Sequence, residues 1–260
     1  MTGIDYIYEL LKQHYDEASE GLVDKAPSRL SRGEGTEKNF YIMKIDLAGS
    51  TGMLLGRKKG TYLKLAHTFL SSIDKITQDF GADPNQTEYA GDSVLAYFPE
   101  TETTAENVMR AASYSRAAVL GIQRLDTTLN SLQLKCKVVL HFDTLLVSKI
   151  GPRANSFTTA IGFPLHVVAK LEKEISADTG WATEKFFQKV IKENQRYLNP
   201  VYKDEACITP QQAVNTVLTP QNNTYNALAQ LLYPPVPPQT VIGYKLKWLL
   251  LFRDLKLNYS

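Results

Sequence analysis

Two short segments, each joining an aspartate and a glycine to an apolar run, constrain the fold of this 260-residue chain more than any other feature. The first is IDLAGST, which contains Asp46 and ends a run at residues 40–45 that is apolar apart from Lys44. The second is EYAGDS, which contains Asp92 and precedes the apolar run of residues 94–98. Apolar runs bounded by glycine predict strands that end in turns. Each aspartate is therefore predicted where a strand meets a turn.

The rest of the chain alternates between helical and strand patterns. Residues 4–18 predict a helix with apolar positions at helical spacing, and residues 28–38 read as a polar linker. The later elements are a strand at 40–47, a helix at 62–80, a hairpin formed by 87–90 and 93–98, a helix at 103–129, a second hairpin formed by 132–141 and 145–150, and helices at 163–174 and 183–190. This order predicts an α+β fold with a mostly antiparallel sheet.

The amino-acid composition changes after residue 194, where Pro-rich and Asn/Gln-rich stretches predict connecting segments. Residues 240–254 predict a final strand. We therefore expect an N-terminal helix and linker at 1–37, a central domain at 38–194, and a C-terminal extension at 195–260 whose last strand completes the domain.

Composition excludes several functional classes. Lys and Arg total 29 against 27 Asp and Glu, so the basic excess typical of nucleic-acid binding is missing. The two cysteines, Cys136 and Cys207, have no metal-ligand spacing, and we expect both as free thiols in a reducing cytoplasm. The N-terminus does not predict a signal peptide, and the apolar run at 248–252 is too short for membrane insertion.

Asp46 and Asp92, if brought side by side, would form a hard oxygen site for divalent cations that carry a nucleoside triphosphate. The alternative is that Asp46 caps the next helix and Asp92 fills a hairpin turn, both common roles for aspartate. The backbone N–H groups of Gly49, Ser50 and Thr51 open a predicted helix and could cradle phosphates, or they could form an ordinary helix start.

On these residues the chain resembles the class III nucleotidyl cyclase homology domain over residues 38–190. The DLAGST segment from Asp46 resembles the family's first signature, and Gly91-Asp92 resembles its hairpin signature. A third, more degenerate likeness lies at residues 160–170, where the family has a glycine followed by a helix bearing an Asn and an Arg; His166 and Lys170 stand at those positions.

The resemblance implies a ferredoxin-like βαββαβ core that works as a head-to-tail homodimer with shared active sites. It implies that Asp46, Asp92 and the main-chain carbonyl of Leu47 hold two Mn²⁺ or Mg²⁺ ions. His166 and Lys170 would reach the ribose and the α-phosphate across the dimer. The alternative for these two is a surface histidine beside a solvated lysine.

The base pocket departs from the family's adenine pattern, because Glu88 and Thr159 stand where that pattern has Lys and Asp. This is formally closer to the guanine pattern. Lys44, two residues before Asp46, lies on the same strand face. A Lys44–Glu88 pair would narrow the pocket and leave a donor for a carbonyl of uracil; alternatively, the two form a peripheral ion pair.

Within the family the chain resembles the bacterial Pycsar pyrimidine cyclases. That likeness implies conversion of UTP to cyclic UMP and pyrophosphate as an antiphage signal read by a separate cyclic-nucleotide-binding effector. Cytidylate, guanylate or adenylate cyclase activity is the alternative, and a degenerate domain that only binds nucleotide is an alternative of another class.

Overall fold

The computed structural model of the protein describes residues 3–18, 21–49, 59–125, 133–202 and 241–248. Backbone contacts group the chain into two compact units. One comprises residues 1–39 with 144–162, and the other comprises residues 40–143 with 163–260. The predicted boundaries at 37/38 and 194/195 stay predictions.

The helices are α1 (Gly3–Glu17), α2 (Lys59–Asp79), α3 (Ala105–Ile122), α4 (Phe163–Glu174) and α5 (Glu184–Phe187). The strands are β1 (Gly35–Leu47), β2 (Glu88–Ala90), β3 (Ser93–Pro99), β4 (Cys136–Ile150), β5 (Phe157–Ile161), β6 (Thr179–Ala182), β7 (Leu198–Tyr202) and β8 (Val241–Leu246). None of the helices in the described ranges is long and apolar enough to cross a bilayer.

The strands lie in the order β2-β3-β1-β4-β6-β8-β7, with β5 paired to β4. The pairing of β4 with β6 is parallel, whereas β1–β3, β2–β3, β4–β5, β6–β8 and β7–β8 are antiparallel. The predicted α+β fold with a mostly antiparallel sheet is confirmed. The hairpin of β2 and β3 is also confirmed, and Gly91 turns it with a φ of +64°.

Alternation along the central strands separates a wholly apolar face from a second face, on which charged residues lie among apolar ones such as Ile42 and Tyr97. Met43, Ile45 and Leu47 of β1 are buried in the main core, which also contains apolar residues of β3, α2 and α3. Lys44 and Asp46 point to the opposite face, because successive strand residues alternate in direction. The core thus holds the strands that carry the acids.

Two sequence predictions of local structure are wrong. The predicted hairpin of 132–141 and 145–150 is wrong, because residues 136–150 are one strand and the turn comes at Gly151, with a φ of +100°. The predicted connection at residues 142–144 is part of the strand. There Asp143 pairs with Lys185 of α5 at 2.7 Å, and Thr144 donates to Asn39 of β1 at 2.7 Å. Residues 28–38 are not wholly a linker, because β1 begins at Gly35.

Candidate active site

The ends of β1 and β3 bring the two predicted metal ligands together. Asp46 lies directly opposite Ser93, the residue after Asp92, in the antiparallel register. The N–H of Leu47 donates to the main-chain oxygen of Asp92 at 3.3 Å. The hairpin turn therefore lies against the end of β1, and the sequence separation of 46 residues between the acids is closed by strand pairing.

The surroundings of Asp46 disfavour the ionised form of its carboxyl group. Burial, then the charge of Glu172, then that of Asp92 raise its pKa from the ordinary 3.8 to about 7, against the opposing effect of Lys44 and Lys137. Such a shift is typical of functional carboxylates, because desolvation and a like charge both disfavour the ionised form. Asp46 is thus held where a cation would stabilise it.

Asp92 shows the complementary feature. Its Oδ2 atom is buried and makes no hydrogen bond to another described residue. A buried carboxylate oxygen without a donor is costly, and a hard cation satisfies it. The described residues contain no group of three or more His, Cys, Asp or Glu side chains arranged for a metal ion. The residues present fit a site in which Asp46, Asp92 and the Leu47 carbonyl supply the protein's ligands and the phosphates of a nucleotide supply others.

Lys44 has a partner that the sequence did not predict. Its Nζ lies 3.3 Å from Oε2 of Glu172, a residue near the end of α4 whose side chain is 8% exposed. The predicted pair of Lys44 with Glu88 is wrong, because α4 crosses this face of the sheet and places Glu172 within reach. Lys44 and Asp46 do lie on one face, as predicted.

Lys137 completes this cluster from β4. Its Nζ lies 3.8 Å from Oε1 of Glu172 and donates to the main-chain oxygens of Glu172 at 3.1 Å and Lys173 at 3.3 Å. An ammonium group at the C-terminal carbonyls of a helix is favourable, because the helix dipole places negative charge there. Glu172 therefore lies between two lysines beside Asp46.

Glu88 is held by the neighbouring strand. Its position opposite Leu95, which is itself opposite Lys44, puts Glu88 on the face of Asp46. The buried hydroxyl of Tyr97 donates to Oε1 of Glu88 at 3.2 Å, and burial together with the Glu88 charge raises the pKa of Tyr97. The carboxylate of Glu88 is thus held by a side chain of the neighbouring strand β3.

His166 and Lys170 lie one turn apart on α4, as predicted. His166 is exposed and Lys170 is half-buried, whereas Val167, Val168, Leu171 and Glu172 form the buried side of the helix. Within one chain the two residues do not share the side of α4 that bears Glu172. Their catalytic role stays a prediction.

The remaining predicted site residues are only partly described. Gly49 forms an exposed turn with a φ of +75°, while Ser50 and Thr51 lie outside the described residues. Thr159 lies on β5 in the other compact unit, opposite Ser148. The nucleotide-binding roles of these residues stay predictions.

The sequence did not predict Glu172 and Lys137 as site residues, although both interrupt apolar patterns. Glu172 follows Val168 by four residues and so falls on the apolar stripe of α4, where a charge needs a buried partner. Lys137 likewise interrupts the apolar residues of β4. Because a charged residue within an apolar pattern requires a buried partner, this pattern could have identified both as candidate site residues.

The free cysteine prediction is confirmed for Cys136, which is buried and unpaired. Burial raises the pKa of its thiol to about 12, so the residue is an inert part of the core. Cys207 lies outside the described residues.

Comparison with solved structures identifies the architecture. The guanylyl cyclase Cya2 superposes with a TM-score of 0.56 at 14% identity, over 64% of this chain and 83% of that one. The adenylyl cyclase CyaB from P. aeruginosa gives 0.54 at 17% identity, over 65% and 87%. The chain has the class III nucleotidyl cyclase fold. A class III adenylyl cyclase-like ATP-binding protein from Pseudomonas aeruginosa gives 0.60 at 18% identity, over 82% of this chain and 49% of that one.

No protein-family model and no curated protein matches the chain in sequence. The likeness therefore shows the class III cyclase fold, and the chemistry of the protein follows from the residues of its site.

Proposed function

We propose that the protein is a nucleotidyl cyclase that converts a nucleoside triphosphate to its 3′,5′-cyclic nucleotide and pyrophosphate. The observation that carries the proposal is the meeting of Asp46 and Asp92 at adjoining strand ends of a class III cyclase fold. Both acids are in the state that a bound cation would relieve: one has a pKa raised to about 7, and the other has a buried oxygen without a donor.

Asp46, Asp92 and the carbonyl of Leu47 would hold Mn²⁺ or Mg²⁺. When bound, two such ions would activate the ribose 3′-hydroxyl and offset the charge of the β- and γ-phosphates and the leaving pyrophosphate. The turn at Gly49 would direct N–H groups to the phosphates. Lys170 would offset charge at the α-phosphate, and His166 would hydrogen-bond the ribose.

Because His166 and Lys170 lie away from the Glu172 side of α4, we propose that they serve the site of a partner subunit in a homodimer. Two copies arranged head to tail would then share both sites.

We favour UTP as substrate. Glu88, fixed by Tyr97, presents a carboxylate that can accept the N3–H of uracil, and Lys44 retains donors besides the one directed at Glu172. The same carboxylate could accept from guanine, so guanylate cyclase activity is the alternative. By its likeness to the Pycsar cyclases, the chain would act in antiphage defence, with cyclic UMP read by a separate effector.

The deciding experiment is a turnover assay of the purified protein with Mn²⁺ and each of the four nucleoside triphosphates. We expect cyclic UMP and pyrophosphate from UTP, and no product from Asp46→Ala. Asp79→Ala, at an exposed acid on α2, is the matched control and should retain activity. Product from GTP or ATP alone would reject the pyrimidine proposal and leave the cyclase proposal intact.

A second candidate function is nucleotide binding without catalysis. The likeness to an ATP-binding protein of this fold, over 82% of the chain, favours it. The replacement of the family's Asn and Arg by His166 and Lys170 points the same way. Tight binding of a nucleotide by the protein, with no turnover of any of the four, would establish this function instead.

A further inference from the structure

Lys44 and Asp46 are close enough to neutralise each other. They lie two residues apart on one strand face, which places their Cα atoms about 7 Å apart. Lysine has a flexible stem of four carbons, so its ammonium group can cover that distance. An ion pair between them would occupy the carboxylate that the proposed function assigns to a cation.

Glu172 holds the Lys44 ammonium elsewhere. Its Oε2 atom lies 3.3 Å from Nζ of Lys44, and both side chains are largely buried, at 8% and 16% exposure. This is the only ion pair that Lys44 makes with the described residues. Lys137 differs, because the main-chain oxygens of Glu172 and Lys173 hold it independently of the carboxylate. Loss of the Glu172 charge would therefore release Lys44 rather than Lys137.

We propose that Glu172 is a positioning residue that sequesters Lys44 and so keeps Asp46 available for a divalent cation. This inference rests on the proposed function, since it assumes a cation at Asp46. It explains why a buried acid lies beside a carboxylate that it destabilises. Burial is the main cause of the raised pKa of Asp46, and the charge of Glu172 is the next. The same carboxylate holds the ammonium group of Lys44 at 3.3 Å.

The test is Mn²⁺ binding to the full chain by isothermal titration calorimetry, without nucleotide. We expect Glu172→Gln to bind Mn²⁺ about tenfold more weakly than wild type, the change that an ion pair worth about 1.4 kcal/mol would cause. Lys44→Met should bind at least as tightly as wild type. The double variant Lys44→Met/Glu172→Gln should recover wild-type affinity, because no ammonium group remains to be released.

Recovery in the double variant separates positioning from a general structural role, which a second substitution would not repair. Asp178→Asn is the matched control: it breaks the Arg116–Asp178 pair at 2.8 Å and should leave Mn²⁺ affinity unchanged. If Glu172→Gln does not fold, Lys44→Met carries the test, because weaker Mn²⁺ binding by that variant would overturn the inference.

Three results would overturn the inference. One is wild-type affinity in Glu172→Gln, and another is a double variant that binds as weakly as Glu172→Gln alone. The third is weaker binding by Lys44→Met. Wild-type protein that binds no Mn²⁺ without nucleotide would overturn the inference alone. The proposed function is decided separately by the turnover assay with nucleotide, so the two failures are distinguishable.

Discussion

Replacing Asp46 with asparagine should stabilise the metal-free protein at alkaline pH while abolishing the proposed activity. The reason is the raised pKa of Asp46, about 7 against the ordinary 3.8. The folded protein then binds the proton more tightly than the unfolded chain does. The stability that this proton contributes is complete below about pH 3.8 and is lost as the pH rises to about 7.

The size of the effect follows from the shift. At about 1.4 kcal/mol per pKa unit, keeping Asp46 ionised above pH 7 costs at most about 4 kcal/mol. A buried carboxamide without partners costs about 1–3 kcal/mol, so we expect a net stabilisation of about 2 kcal/mol at pH 8. For a chain of this size that corresponds to a rise in Tm of about 4–8 °C.

The assay is thermal or urea unfolding of wild type and Asp46→Asn with chelator present, at several pH values from 5 to 8. The advantage of the variant should grow by about 2–3 kcal/mol over that range, because the asparagine does not titrate. Adding Mn²⁺ should stabilise wild type and leave the variant unchanged. An advantage that stays constant with pH, or that shrinks as pH rises, would refute this account of Asp46.

Asp143 provides a control of opposite sign. Burial opposes its ionisation, but His141, whose Nε2 lies 3.4 Å away, and the ammonium group of Lys185, which donates at 2.7 Å, prevail and lower its pKa from 3.8 to about 2. Its contribution is therefore present above about pH 4 and is lost as the pH falls through about 2. Asp143→Asn should destabilise the protein at pH 8 by about 2 kcal/mol.

Two further predictions concern the hairpin of β2 and β3. Tyr97→Phe removes the hydroxyl that holds Glu88. The KM of the preferred nucleotide should therefore rise and the selectivity among the four triphosphates should fall, whereas kcat should change less. Unchanged selectivity in the turnover assay would reject a role for Glu88 in recognising the base. Gly91→Ala meets no atom within 4 Å but places an alanine at a φ of +64°, so urea unfolding should show a loss of about 1 kcal/mol. An unchanged free energy of unfolding would contradict this prediction and would mean that the turn relaxes to accommodate the alanine.

Local patterns were sufficient to predict much of the fold and the two central acids. The helix at 163–174 matches α4, and Asp46 and Asp92 lie at a strand end and a hairpin turn. Periodicity, glycine and apolar runs are read over a few residues, so they identify such elements well. The same local patterns wrongly predicted that the strand ends before residues 143–144. The strand continues there, and Asp143 and Thr144 contact residues that are distant in sequence.

The sequence alone determined that two carboxylates end strands of an α+β fold, because strand alternation and turn residues are local properties. Only the tertiary structure decided what surrounds them. Glu172 reaches Lys44 from a helix 128 positions later in the chain, and Lys137 joins them from a third element. Burial and long-range charge set the pKa of Asp46 and the partner of Lys44, and both depend on which elements pack together.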